Sequence, residues 1–250
     1  MKRTVIISLS TIIIITLIAF GAPENLSAET DPLETDPEML ERGLAGLNLR
    51  VSSGLSGGFM RMNITDLNDL LEDEEFPSLS RNIFIYGFEA VVGRIEGQRL
   101  RTIYRRGSVE SSSGDNHASL NIEYGGLAYE RGKKVGDEEN MDAALGAMVG
   151  AGSKELYIRA DGAREFEEVL GEVGDGKHSS VTMEKSFLAL KLNSNLHYDL
   201  RNSLALGLSA SYLLTHDLGG GWEVGGTSLD DDPTSNLRGP QLSLQISYTF

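Results

Sequence analysis

The chain has 250 residues, no cysteine, and 22 Lys and Arg against 37 Asp and Glu, a formal charge of −15. The missing cysteines exclude a disulfide framework and a lipid-modified N-terminal Cys. The acidic balance, about −17 once Lys2 and Arg3 are removed, excludes a grip on phosphate backbones, so no nucleic-acid partner is expected. Lys2 and Arg3 open the chain and an apolar run from Val5 to Phe20 follows. Small residues then offer cleavage after 21 or after 28, so residues 1–28 read as a secretory signal peptide. No later run approaches the ~18 consecutive apolar residues of a membrane helix. Residues 29–45 form an acidic leader, with a short helix expected over 37–44 behind an Asp36 cap and Pro37.

From residue 46 the pattern changes to a period of two, the signature of strands with one apolar and one polar face. Expected strands run from Leu47 to Met60, Asn82 to Ile95, Arg99 to Arg106, Ala118 to Tyr129, Ala143 to Gly152, Val181 to Tyr198, Ser203 to Leu214 and Gln241 to Phe250. The last is strict, with apolar residues at Leu242, Leu244, Ile246, Tyr248 and Phe250 and small or polar residues between them. The alternation is poor in the third and weak in the fifth. In the fourth, Leu120, Ile122 and Tyr124 are assigned to the outer face and Glu123 to the inner one. Connections tend to alternate between long (61–81, 153–180, 215–238, and 107–117, which is only slightly long) and shorter (96–98, 130–142, 199–202). Short amphipathic helices are expected in the first long loop, over 63–72 with Leu67, Leu70 and Leu71 as its stripe and Thr65 as a cap, and in the third, over 164–173.

The terminal strand ending on Phe250 with Tyr248 before it, together with the loop asymmetry, resembles small bacterial outer-membrane β-barrels of the OmpA/OmpX type. The fold expected is all-β: an antiparallel up-and-down transmembrane barrel of about eight strands over 46–250. An even count suits closure, and lipid tolerates only sheets that close on themselves. The resemblance implies that Leu242, Leu244, Ile246, Tyr248 and Phe250 are read by the barrel-insertion machinery. It also implies an integral protein of the cell envelope whose partners are outer-membrane lipid and surface contacts.

An eight-stranded barrel is just wide enough for side chains to fill it. Its polar lumen set is expected to be Arg50, Glu89, Glu123, Lys191, Asn193, Asn195 and His197, with Arg50 or Lys191 paired to Glu89 or Glu123. Phe84, Tyr86, Tyr198, Tyr212, Tyr248 and Phe250 are expected to form the aromatic girdles at headgroup depth. The acidic outer loops, including Asp230 to Asp232, make divalent cations a candidate partner, although the spacing is not that of a Ca²⁺ loop. Trp222 reads as a loop anchor or a binding contact. His117 and His216 lie near Asp115, Asp217 and Ser111 to Ser113, yet no nucleophile elbow or paired-His metal motif is present, so neither an enzyme nor a cofactor is expected. The function read is a structural, surface-interaction or adhesion-type barrel with a plugged lumen. Its alternatives are a narrow porin-like channel, an outer-membrane lipid hydrolase or a soluble exported β-sandwich.

Overall fold

The computed structural model describes residues 49–136, 140–160, 180–201, 203–219, 221–229 and 236–250. The expected signal peptide, the expected leader and its helix, the helix expected over 164–173 and the acidic run 230–232 lie outside them. The barrel strands are β1 (Leu49–Arg61), β2 (Asn82–Arg94), β3 (Gly97–Ser113), β4 (Asn116–Lys134), β5 (Met141–Ala160), β6 (Ser180–Arg201) and β7 (Leu204–Asp217). A small hairpin, β8 (Glu223–Val224) and β9 (Thr227–Ser228), precedes the last barrel strand, β10 (Arg238–Thr249). Each barrel strand pairs antiparallel with its neighbour, and β10 pairs with both β7 and β1. With β5 paired to β6, the ring of eight is complete and the barrel has no free edge in the bilayer zone.

Several strands are longer than their alternation indicates. The segment 107–117, expected as a loop, is strand on both sides of a tight turn at Gly114–Asp115, where Gly114 takes φ 57°. Likewise most of 130–142, expected as a connection, belongs to β4 and β5. The physical reason is a change of solvent. Beyond the bilayer the outside of the wall meets water, so the sequence there loses the apolar outer face that marks a membrane strand.

Inside the barrel two layers follow one another along the axis. Toward the long loops the interior is mainly apolar, with Met60, Ile83, Ile85, Ile103, Leu120, Ile122, Tyr124, Phe187 and Leu213 buried together, and it also holds Lys154 and Lys185, which pair with Asp217 at 2.9 and 3.4 Å. This corrects the expected faces of β4: Leu120, Ile122 and Tyr124 point inward, and Glu123 lies exposed on the outer surface. Above the lipid a strand must hide its apolar side in the barrel, because water replaces hydrocarbon outside. Toward the short turns the interior is ionic and amide-lined.

The apolar layer is closed from above by α1 (Thr65–Asp73), which sits in the first long loop. At nine residues it would not be stable alone in water, so packing must hold it. Ile64, Leu67 and Leu71 are buried in the core, while Leu70 stays exposed. Thr65 does not cap it: the N-cap position is Ile64, and no side chain makes a capping hydrogen bond. The latch is Asn68. Its Nδ2 donates to the Leu79 carbonyl at 2.9 Å, and the Leu79 N–H donates back to its Oδ1 at 3.0 Å. Trp222 is also buried here, with the Lys154 ammonium 5.2 Å from its ring centre, so it anchors its loop.

Candidate functional site

The inward positions of six strands build one ionic chain. Arg105 of β3 pairs with Glu89 of β2, and Glu89 pairs again with Arg101. The Arg101 Nε donates to Glu130 of β4 at 2.7 Å, and Glu130 also takes the Arg99 Nε at 3.1 Å. Arg99 continues to Asp142 of β5 at 2.7 Å, and Asp142 lies 2.6 Å from Arg50 of β1. Arg50 ends the chain on Asp199 of β6, with its Nη2 at 2.6 and 2.5 Å from the two carboxylate oxygens. Four arginines thus alternate with four carboxylates. Buried charges are tolerable only when paired in this way, because stripping an ion of water without a partner costs several kcal/mol.

Amides complete the chain. Asn193 and Asn195 each donate to Glu130 Oε1, at 2.6 and 2.8 Å, so this carboxylate binds two guanidiniums and two amides. His197 Nε2 lies 2.8 Å from Arg101 Nη2, and Gln245 Oε1 accepts from Arg101 at 3.3 Å. Gly146 leaves space for Glu130, since a Cβ there would lie 2.7 Å from its Cγ.

The structure therefore places Arg50, Glu89, Lys191, Asn193, Asn195 and His197 inside the barrel, all buried. It does not place Glu123 there: that carboxylate faces out, within 3.3 Å of the Tyr104 hydroxyl. The expected pairing is corrected too. Arg50 meets Asp142 and Asp199, while Glu89 meets Arg101 and Arg105. Lys191 has no hydrogen bond or ion pair among the described residues. Sequence reasoning missed Arg99, Arg101, Arg105, Glu130, Asp142 and Asp199. A signal for three of them was present: Arg99, Arg101 and Arg105 alternate with Leu100, Thr102 and Tyr104, a period of two whose polar face is charged.

Lys191 is an informative exception, because it is 1% exposed beside a chain that is neutral without it. Replacing it by Met keeps the length and removes the charge. Lys191→Met is expected to stabilise the barrel by about 1–3 kcal/mol. The check is the temperature at which the folded band disappears on an SDS gel; a lower temperature than wild type would show that the ammonium is needed.

The outer wall is the complement of the lumen. Leu204, Leu206, Leu208, Leu242, Leu244 and Ile246 all point outward and none is covered by another part of the described chain. Leu55, Phe59, Leu145, Val149 and Leu192 continue the band around the barrel. Phe84, Tyr86 and Tyr212 are exposed toward its loop end, and Tyr198, Tyr248 and Phe250 toward its turn end. Phe59 packs edge-on against Phe84, and Tyr248 against Phe250. An uncovered apolar wall of closed strands around an ionic interior has hydrocarbon as its solvent. The chain therefore has the form of a transmembrane β-barrel.

The loop end carries little that could do covalent chemistry. Ser112 Oγ lies 2.9 Å from His117 Nδ1, as neighbours across the β3–β4 hairpin, and the His117 ring meets the edge of Tyr157. Among the described residues no carboxylate orients His117, so the pair lacks the third member of a triad. Nor do three His, Asp or Glu side chains converge there as metal ligands among the described residues.

No protein-family model matches the chain, and no curated protein matches it in sequence. Solved structures similar to it include Ail, the attachment invasion locus protein of Yersinia pestis, in complex with the heparin analogue sucrose octasulfate. That match has a TM-score of 0.44 and 11% identity, over 80% of this chain and 99% of the other. Neisserial surface protein A is similar at a TM-score of 0.46 and 13% identity, over 81% of this chain and 97% of its own.

Proposed function

We propose that the protein is a non-conducting outer-membrane barrel that works through its outer surface. The observation that carries this reading is the double closure of the lumen: the alternating ionic chain fills the turn-end half, and the α1-capped apolar core fills the loop-end half. The short turns then face the periplasm and the long loops face outward, as in other barrels of this kind. What remains for function is the loop end. Its exposed acids include Asp66, Asp69, Glu72, Asp73, Glu74 and Glu75 on and after α1. A surface of that sign favours basic partners and divalent cations, and it is the part of the molecule suited to adhesion-type contacts.

The outward residues of β10, Leu242, Leu244, Ile246 and Tyr248, with Phe250 just after it, are the reading frame offered to the insertion machinery. The reading includes no enzymatic step: among the described residues no carboxylate orients the Ser112–His117 pair. In planar bilayers the purified barrel is expected to show no steady openings, and cells displaying it should bind a cationic surface less well once the six acids are changed to Asn or Gln. Steady single-channel events would overturn the plugged reading in favour of a narrow channel; unchanged binding would remove the role of the acidic rim.

A further inference from the structure

At the turn end of the wall one sector differs from the rest. On β2, β3 and β4 the outward row just beyond the apolar band is Arg94, Gln98 and Arg131: Gln98 pairs with Arg131, and Arg94 follows the last β2–β3 pair, Gly93 with Arg99. Lys133, two residues beyond Arg131 on the same outer face, extends the row. All four are exposed, and Arg94, Arg131 and Lys133 make no hydrogen bond or ion pair among the described residues. Glu130, next to Arg131 in sequence, points into the lumen, where it pairs with Arg99 and Arg101; the other acids near in sequence are Glu96, between β2 and β3, and Asp137 to Glu139, which follow β4. Above the row lie Val92, Leu100 and Tyr129, which belong to the lipid-facing wall. The other side of the same rim is apolar and aromatic, with Tyr198, Leu200, Leu204, Tyr248 and Phe250 exposed.

A cationic row placed directly under a hydrocarbon-facing wall sits where phospholipid headgroups sit. The arginines project from the outer face of the sheet, parallel to the membrane, so they meet headgroups of the lipids whose tails lie on Val92, Leu100 and Tyr129. Guanidiniums bind phosphate oxygens in a forked geometry, Lys133 adds a point charge, and the Gln98 amide can donate between them. Charge complementarity and continuity with the lipid wall together select the occupant. We propose that the row Arg94–Gln98–Arg131, with Lys133, is a binding site for an anionic phospholipid of the phosphatidylglycerol type in the periplasmic leaflet. The leaflet assignment rests on the orientation proposed above; the lipid preference does not.

Two measurements separate these claims. Full-length protein is placed in vesicles of phosphatidylcholine with phosphatidylglycerol, and co-purifying lipid is read by native mass spectrometry. Phosphatidylglycerol is expected to be enriched on the order of tenfold over phosphatidylcholine at low salt, since each basic residue at a charged surface contributes severalfold and salt screens it. Arg94→Gln, Arg131→Gln and Lys133→Gln combined should abolish the enrichment and leave the folded band on SDS gels intact. The same change at Arg61, Arg81 and Arg238, at the loop end, should not abolish it. Enrichment that survives the turn-end triple variant overturns the site. So does enrichment seen only after residues 29–45 are deleted, which would show that the acidic leader covers the row. For orientation, the chain has no native cysteine, so Glu96→Cys gives one thiol in the turn. Labelling of that thiol by an impermeant reagent on intact cells would overturn the leaflet assignment while leaving the lipid preference standing.

Discussion

Replacing Glu130 by Ala is expected to destabilise the barrel by about 3–5 kcal/mol, the usual cost of removing one partner from a buried ionic group. The carboxylate is fully buried and is the only group that joins Arg99 to Arg101 among the described residues. Its loss leaves two guanidiniums facing each other and removes the acceptor of the Asn193 and Asn195 amides. The measurement is the urea midpoint for unfolding from lipid vesicles. Glu123→Ala serves as the comparison: that carboxylate is exposed on the wall above the bilayer, and its removal should stay within about 0.5 kcal/mol. Equal midpoints for the two variants would mean that Glu130 is solvated and that the ionic chain does not hold the lumen shut. A double variant with Arg101→Ala should cost less than the sum of the two single changes, because neither leaves the other's charge unpaired.

Leu244→Arg is the second large effect, and it tests the solvent of the wall rather than its interior. Leu244 is 67% exposed, in the middle of β10, paired with Gly57 and Leu208. Arginine at the midplane of a barrel's lipid face costs about 2–4 kcal/mol. On a surface facing water the same change would be within about 0.5 kcal/mol. Vesicle unfolding of Leu244→Arg beside Glu155→Arg, a position on β5 above the apolar band, therefore distinguishes hydrocarbon from water. A soluble sandwich would also need a second sheet over Leu204, Leu206 and Leu208, and none lies there among the described residues.

The two variants probe the same partition from opposite sides. Lipid outside requires Leu, Val, Phe and Tyr on the wall, and the narrow bore inside requires that every charge find an opposite one. The lipid requirement acts locally, residue by residue, and the charge requirement acts across the lumen. This difference explains which parts of the protein can be read from the amino-acid order. In β6, β7 and β10 each outward residue faces hydrocarbon, so the alternation is strict and the faces follow from it directly. In the loop-end halves of β3 to β5 water lies outside, Ser108, Glu110, Asn121, Glu123 and Glu155 occupy that face, and the apolar residues turn inward. A rule that sends apolar residues outward fails there: it puts Glu123 in the lumen and reads 107–117 as a loop, where the structure has Glu123 outside and strand on both sides of Gly114.

The helix in the first long loop shows the same division. Leu67 and Leu71 announce an amphipathic segment, but what α1 covers is decided by Ile64, Leu79 and the barrel mouth beneath it. The Asn68 latch onto Leu79 spans eleven residues of sequence and depends on the return path of the loop. Helix propensity and periodicity contain no information about that path.

The amino-acid order by itself determined the solvent on each face of β6, β7 and β10, the even strand number and the aromatic ends of the wall, because lipid constrains every outward side chain independently. Only the tertiary structure decided that Arg50 joins Asp142 to Asp199, that Glu130 collects Arg99, Arg101, Asn193 and Asn195, and that Lys191 stays outside the ionic chain. Those partners lie on strands separated by up to 149 residues. They meet through the closure and register of the ring, which no single strand encodes.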